Sequence, residues 1–122
     1  MNAPFDQLGE DGFTALVAAF YRRGKVDDLV GKMYPPDDWD GSEARLRGFL
    51  IYRFGGSPAY IEERGHPRLR MRHFPFQIGI AERDRWMEMM IAAMDEVHVP
   101  SPCRDELASF FAQTADFMRN VE

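Results

Sequence analysis

The side chains best suited to chemistry are concentrated in one run, from Arg64 to Phe76. It holds Arg64, Arg68, Arg70 and Arg72, the histidines His66 and His73, and the prolines Pro67 and Pro75. Pro67 can open a short helix, since its missing N–H falls where the first turn has no partner. Pro75 ends that helix and biases Phe74 away from helical backbone. His73 then lies in the last turn, with Leu69 and Arg70 one turn back and Phe74 and Phe76 just after it. An imidazole held by a short rigid piece against an apolar surface suits a metal ligand. Arginines around it suit acidic groups at the rim of a site. The same histidine would also serve as a core or cap residue, and the residues alone leave both readings open.

The other histidines are less suggestive. His66 precedes a proline, which favours extended backbone, and His98 sits at a helix end, where its charge complements the dipole. With Cys103 they do not make the spacing of a zinc site. One axial imidazole facing an apolar cavity is, by contrast, enough for haem. Three polar aromatics, Tyr21, Tyr34 and Trp86, fall on apolar helical stripes. A buried Tyr O–H or Trp N–H usually needs a partner. Each could bond to a carbonyl; if the three converged, they would line an apolar cavity with donors for a small diatomic molecule. A rival reading gives Arg68, Arg70 and Arg72 to RNA phosphates, with Phe74 and Phe76 as stacking platforms. The net charge of −5 opposes it. No glycine-rich phosphate loop or nucleophile elbow is present, and the pairs Asp27-Asp28 and Glu62-Glu63 read as helix-start or solvent charge.

These residues need elements to position them. Residues 1–12 are interrupted by Pro4, Gly9 and Gly12, leaving room for a short helix around Phe5–Leu8. Phe13, Leu16, Val17, Phe20 and Tyr21 then share one helical face, and Gly24 stops it. Asp27 or Asp28 begins a shorter helical piece carrying Leu29, Val30, Met33 and Tyr34, ended by Pro35-Pro36. Asp40 with Glu43 reads as a capping pair for a helix with Leu46, Phe49, Leu50 and Phe54 on one face. Gly55-Gly56 ends that helix. A further turn is expected near Tyr60–Glu63. After Gln77–Ala81 comes a long helix with Trp86, Met89, Met90, Ala93, Met94 and Val97 on one face, closed by Pro100. Ser101 as N-cap and Pro102 at the first position open a last helix bearing Leu107, Phe110, Phe111, Phe117 and Met118. Arg68 to His73 alternates in strand fashion, but its flanking prolines favour helix or turn.

The expected fold is therefore all-α, in one domain spanning 1–122. Apolar residues make up 45% of it, and its 10 Phe and 8 Met suit a large, soft core able to accept a flat apolar guest. A single cysteine excludes an internal disulfide and fits a reducing, cytoplasmic setting. No apolar run approaches the ~18 residues of a membrane span.

Taken together, Phe20-Tyr21, Tyr34-Pro35, Arg45-Leu46, Phe49-Leu50, Gly55-Gly56, the run Arg64 to His73, Pro75-Phe76 and Glu82-Arg83-Asp84 followed by Trp86 resemble the group II truncated haemoglobins from about Phe13 to Met118. The central run is the most specific part of the match. The resemblance implies a two-over-two helical sandwich around haem b. It assigns His73 as the proximal iron ligand and Tyr21, Tyr34 and Trp86 as distal donors, with Ser42 at the distal gate. Leu46, Phe49 and Leu50 would form distal wall, and Phe54, Leu69, Met71 and Phe76 further haem contacts. Arg45, Tyr60, Arg64 and Arg72 would lie near the propionates.

The implied activity is reversible binding of O2 and other diatomics such as CO and NO, for oxygen binding, transport or sensing. The alternative is a haem enzyme with nitric oxide dioxygenase or peroxidase-like activity, dependent on an external reductase. The expected partners are O2, CO, NO or peroxide, that reductase, and a second copy of the chain in a homodimer. Neither nucleic acid nor a membrane is expected. Two departures stand out. Leu8-Gly9 replaces a glycine pair before the helix beginning near Phe13, and Arg53-Phe54 replaces an aromatic pair before Gly55-Gly56.

Overall fold

The computed structural model of the protein describes residues 4–34, 36–56 and 78–119, without the side chains of 4, 5 and 117. The run 64–76, with His66 and His73, lies outside the described residues, as do Pro35, the expected turn near Tyr60–Glu63, and Gln77. Four α-helices make up the described fold: α1 (Pro4–Gly24), α2 (Trp39–Arg53), α3 (Ile80–Glu96) and α4 (Cys103–Phe117). Among the described residues there is no strand, and no helix is long and apolar enough to cross a membrane.

Helix α1 is the centre of the arrangement. It packs against α2, α3 and α4, and α3 packs against α4. The reason is its apolar stripe: Phe13, Leu16, Val17 and Phe20 are fully buried. Burying such a side chain contributes roughly 1.5–3 kcal/mol each. Leu50, Phe54, Met90, Ala93, Met94, Leu107 and Phe111 meet that stripe from the other helices. Helices α1 and α2 thus form one pair and α3 and α4 the other, joined through α1, as a two-over-two sandwich requires.

The helix ends explain where expectation and structure part. Gly9 has φ 70° and ψ 175°, a backbone that favours glycine, so the short first helix and the Phe13 helix run on as one kinked element. The piece after Asp27 is a set of turns and a 3-10 helix, Gly31–Met33, not an α-helix. The Asp27 carboxylate accepts from the Leu29 and Val30 amides at 3.0 and 2.7 Å, which winds the chain tightly. A Cβ on Gly31 would stand 2.7 Å from the Gly24 carbonyl oxygen, so the loop closes on the end of α1 only because residue 31 has no side chain.

Helix α2 begins one residue before the expected Asp40 cap. Asp38 is its N-cap residue, without a side-chain cap bond. Its C-terminus closes as expected: Gly55 takes φ 106°, and the Gly56 N–H reaches the Ile51 carbonyl at 2.7 Å, a left-handed glycine ending. In α3, Glu82 reaches back to accept from the Gly79 N–H at 2.7 Å, one half of a capping box. Helix α4 starts at Cys103 with Pro102 as its N-cap, one residue later than Ser101 and Pro102 suggest.

Candidate functional site

Tyr21, Tyr34 and Trp86 are brought to one place from three elements. Tyr21 closes the apolar stripe of α1, and its ring meets that of Tyr34 edge-on, with centroids 5.5 Å apart. Tyr34 follows the 3-10 turn, its N–H bonded to the Gly31 carbonyl at 3.3 Å. Trp86 projects from the first half of α3 against Phe20 of α1, 5.1 Å between centroids, and Phe111 of α4, 5.7 Å. Desolvation by burial pushes the Tyr34 phenol up to about 12, although side-chain hydrogen bonding with Trp86 and Tyr21 draws it back. Burial, then the proximity of Tyr34, pushes Tyr21 far above the ordinary phenol range. A phenol is protonated at neutral pH in any setting; here burial extends that into the alkaline range, so both hydroxyls keep a proton to donate.

The Tyr21 hydroxyl donates to the backbone carbonyl of Ser42 at 3.1 Å. Ser42 is buried in the first half of α2, and its own Oγ accepts from Arg45 Nη2 at 3.2 Å. The expected gate residue is thus fixed from both sides. Arg45, expected near the propionates, binds Asp38 Oδ2 at 2.9 Å as well as Ser42. To meet a propionate it would have to share or leave Asp38.

Leu46 and Phe49 are half-buried and packed on the core, while Leu50 and Phe54 are buried within it. Phe49 and Phe54 both approach Phe110, at 6.3 and 5.0 Å. Ring contacts run without a break from Tyr34 through Tyr21, Phe20, Trp86, Phe111 and Phe110 to Phe49. Aromatic pairs in such arrangements add stability beyond the area they bury. They also give the donors a rigid apolar frame.

One member of this cluster was not picked out by the sequence reading. Trp39, the first residue of α2, lies 5.2 Å from the Tyr34 ring and 6.2 Å from Tyr21. Its signal was its position seven residues before Leu46, two helical turns away on the same face. Starting the helix at Asp40 hid it. His73, Tyr60, Arg64, Leu69, Met71, Arg72 and Phe76 lie outside the described residues. The residues that are described fit haem on its distal side: an apolar wall with neutral O–H and N–H donors, and the charges of Asp38 and Arg45 paired with each other.

Comparison with known proteins agrees with this frame. The profile of the family described as bacterial-like globin matches residues 3–120. The group 2 truncated haemoglobin YjbI of Bacillus subtilis is 37% identical over 119 residues, covering 98% of this chain and 89% of that protein. Two-on-two haemoglobin-3 of Arabidopsis thaliana is 31% identical over 117 residues, covering 93% of this chain and 67% of that protein. The haemoglobin of the thermophilic phototrophic bacterium Chloroflexus aurantiacus superposes with a TM-score of 0.93 at 41% identity, covering 99% of this chain and 100% of that one. The truncated oxygen-avid haemoglobin of Bacillus subtilis gives 0.90 at 37%, covering 98% and 100%. With the helix pairs joined through α1 and a family that implies a haem cofactor, this chain belongs to the group II truncated haemoglobins and has their two-on-two globin fold.

Proposed function

We propose that this globin holds haem b through His73 and reversibly binds O2, with CO and NO as further diatomic ligands, in oxygen binding, transport or sensing. The observation that carries the reading is the placement of the Tyr34 hydroxyl among the side chains of Tyr21 and Trp86, in surroundings that keep it protonated. When bound, haem would supply an iron that can bind a diatomic molecule. Everything else is the work of the chain.

His73 would give one ring nitrogen to the metal, and its other nitrogen, by donating to an acceptor, would orient the ring. Leu46, Phe49, Leu50 and Phe54 supply apolar wall, with Leu69, Met71 and Phe76 as further contacts. Tyr60, Arg64 and Arg72 would take the propionates, with Arg45 available on releasing Asp38. The Trp86 N–H and the Tyr34 hydroxyl would point partial positive charge at the distal space, and the Tyr21 hydroxyl would join them on leaving the Ser42 carbonyl to which it donates at 3.1 Å. A neutral donor of this kind is worth roughly 0.5–1.5 kcal/mol net. Two or three together slow ligand escape by on the order of tenfold to a thousandfold, since ~1.4 kcal/mol is tenfold.

Absorption spectra of the purified protein in ferric, ferrous and CO-bound forms test this. A haem band that disappears in His73→Ala is expected. A well-folded protein that stays colourless after reconstitution with haem would end the proposal. Turnover of NO or peroxide in the presence of a reductase, set beside the O2 dissociation rate, separates ligand binding from catalysis. The single buried thiol, Cys103, supports a reducing, cytoplasmic setting.

A further inference from the structure

Two of the distal donors, Tyr34 and Trp86, sit on elements that are joined outside the cluster by an ion pair. Asp27, at the start of the loop that ends in Tyr34, places Oδ1 2.6 Å from Arg85 Nη1. Its other oxygen accepts from the amides of Leu29 and Val30. Both carboxylate oxygens are therefore engaged, and the side chain is only 10% exposed although its arginine partner is 46% exposed. Arg85 also approaches Glu88 at 3.5 Å on its own helix. Burial opposes the Asp27 charge, but the bonds from Val30, Arg85 and Leu29 outweigh it and lower its pKa.

The path from this contact to the site is short on both sides. On one side, Arg85 precedes Trp86 in α3, so a helix that is pulled by its arginine carries the indole with it. On the other, the Val30 carbonyl accepts from Met33 at 2.9 Å and the Gly31 carbonyl from Tyr34 at 3.3 Å. The turn that Asp27 winds is the same turn that aims the Tyr34 ring. Hydrogen bonds weaken steeply when donor and acceptor are pulled apart or misaligned. A small slip of the loop along α3 would be felt in the Trp86–Tyr34 contact before it was felt in the core.

We propose that Asp27 and Arg85 are positioning residues: their ion pair sets the Tyr34 loop against α3 and so fixes how Tyr34 stands relative to Trp86 where the distal ligand meets them. This rests on the reading of Tyr34 and Trp86 as distal donors. A surface ion pair with one exposed member contributes little stability. The pair's effect lies in geometry, and it would be selective for one contact.

The test uses the haem-loaded protein in six forms: the parent, Arg85→Leu, Arg85→Lys, Asp27→Asn, Tyr34→Phe, and Arg85→Leu combined with Tyr34→Phe. The O2 dissociation rate and the C–O stretching frequency of the CO form are measured in each. Arg85→Leu should raise the rate about threefold to tenfold, the size of one neutral hydrogen bond, and shift the C–O stretch. Arg85→Lys should restore most of both. In the Tyr34→Phe background, Arg85→Leu should add less than about twofold, because the contact it governs is already gone. Asp27→Asn keeps an oxygen for the Leu29 and Val30 amides while removing the charge pair, and should reproduce Arg85→Leu. Equal factors for Arg85→Leu in both backgrounds would overturn the proposal. So would an unchanged rate and stretch in Arg85→Leu when Tyr34→Phe alters both. Should Tyr34→Phe alter neither, the donor reading itself fails, and this proposal with it.

Discussion

The phenol of Tyr21 donates to the backbone carbonyl of Ser42 across 3.1 Å, fastening the end of α1 to the first half of α2. The contact is buried, and the Ser42 Oγ accepts in turn from Arg45, which is itself paired with Asp38. Tyr21→Phe keeps the ring contacts with Phe20, Tyr34 and Trp39 and removes only the hydroxyl. It should lower unfolding free energy by about 0.5–1.5 kcal/mol, read from the midpoint of a urea titration at unchanged slope. No loss of stability would mean that the bond is satisfied equally well by water in the unfolded chain.

Trp86→Phe should raise the O2 dissociation rate. The substitution retains an aromatic ring against Phe20 and Phe111 and deletes the indole N–H. One neutral donor lost corresponds to about twofold to tenfold in rate. Stopped-flow displacement of O2 by CO measures it. An unaltered rate would show that the indole serves packing alone.

The fold was largely legible in the sequence because it depends on helical stripes. Phe13 to Tyr21, Leu46 to Phe54, Trp86 to Val97 and Leu107 to Met118 each place apolar residues on one face, and those are the faces that meet. What was not legible depended on where long or polar side chains reach. Asp27 read as helix-start or solvent charge, yet it winds a 3-10 turn and binds an arginine 58 residues away. Arg45 read as a propionate partner, yet Asp38, seven positions back, holds it. Neither pairing has a periodic signature. Trp39 was hidden by a two-residue error in the start of α2, because Asp40 looks like a better cap than Asp38, whose carboxylate is committed to Arg45. The convergence of Tyr21, Tyr34 and Trp86 could be raised from sequence as a condition only, since three residues on three elements meet through tertiary packing.

The interior and surface contacts between helices should separate sharply when tested. Glu96, at the end of α3, binds both Arg22 and Arg23 of α1, the latter at 2.8 Å, but all three are at or near the surface. Glu96→Gln should cost little and cost less still in high salt. Phe111 is fully buried between Trp86 and Phe110, and Phe111→Ala should cost about 3–5 kcal/mol. Denaturant titrations at low and high ionic strength check both. A Glu96→Gln cost approaching that of Phe111→Ala would place the junction of α1 and α3 in charge rather than packing.

Alkaline pH offers a direct reading of the buried phenol. Burial pushes Tyr34 up to about 12, against about 10 for a free tyrosine. Between those values the unfolded chain has released this proton and the folded chain still holds it. The native state then binds more protons than the unfolded state, so stability falls as pH rises, by at most ~1.4 kcal/mol per pH unit for one such group. Below about pH 10 both states keep the proton and Tyr34 contributes no slope. Tyr21 is shifted in the same direction and adds to the fall. Stability measured by urea titration from pH 8 upward should therefore be flat with respect to these groups and then decline from about pH 10. Tyr34→Phe should decline less steeply than the parent, and phenolate absorbance from the buried tyrosines should rise only as the protein unfolds. Parallel declines in the two proteins would show that the fold does not hold the Tyr34 proton, and the hydroxyl would lose its standing as a permanent donor.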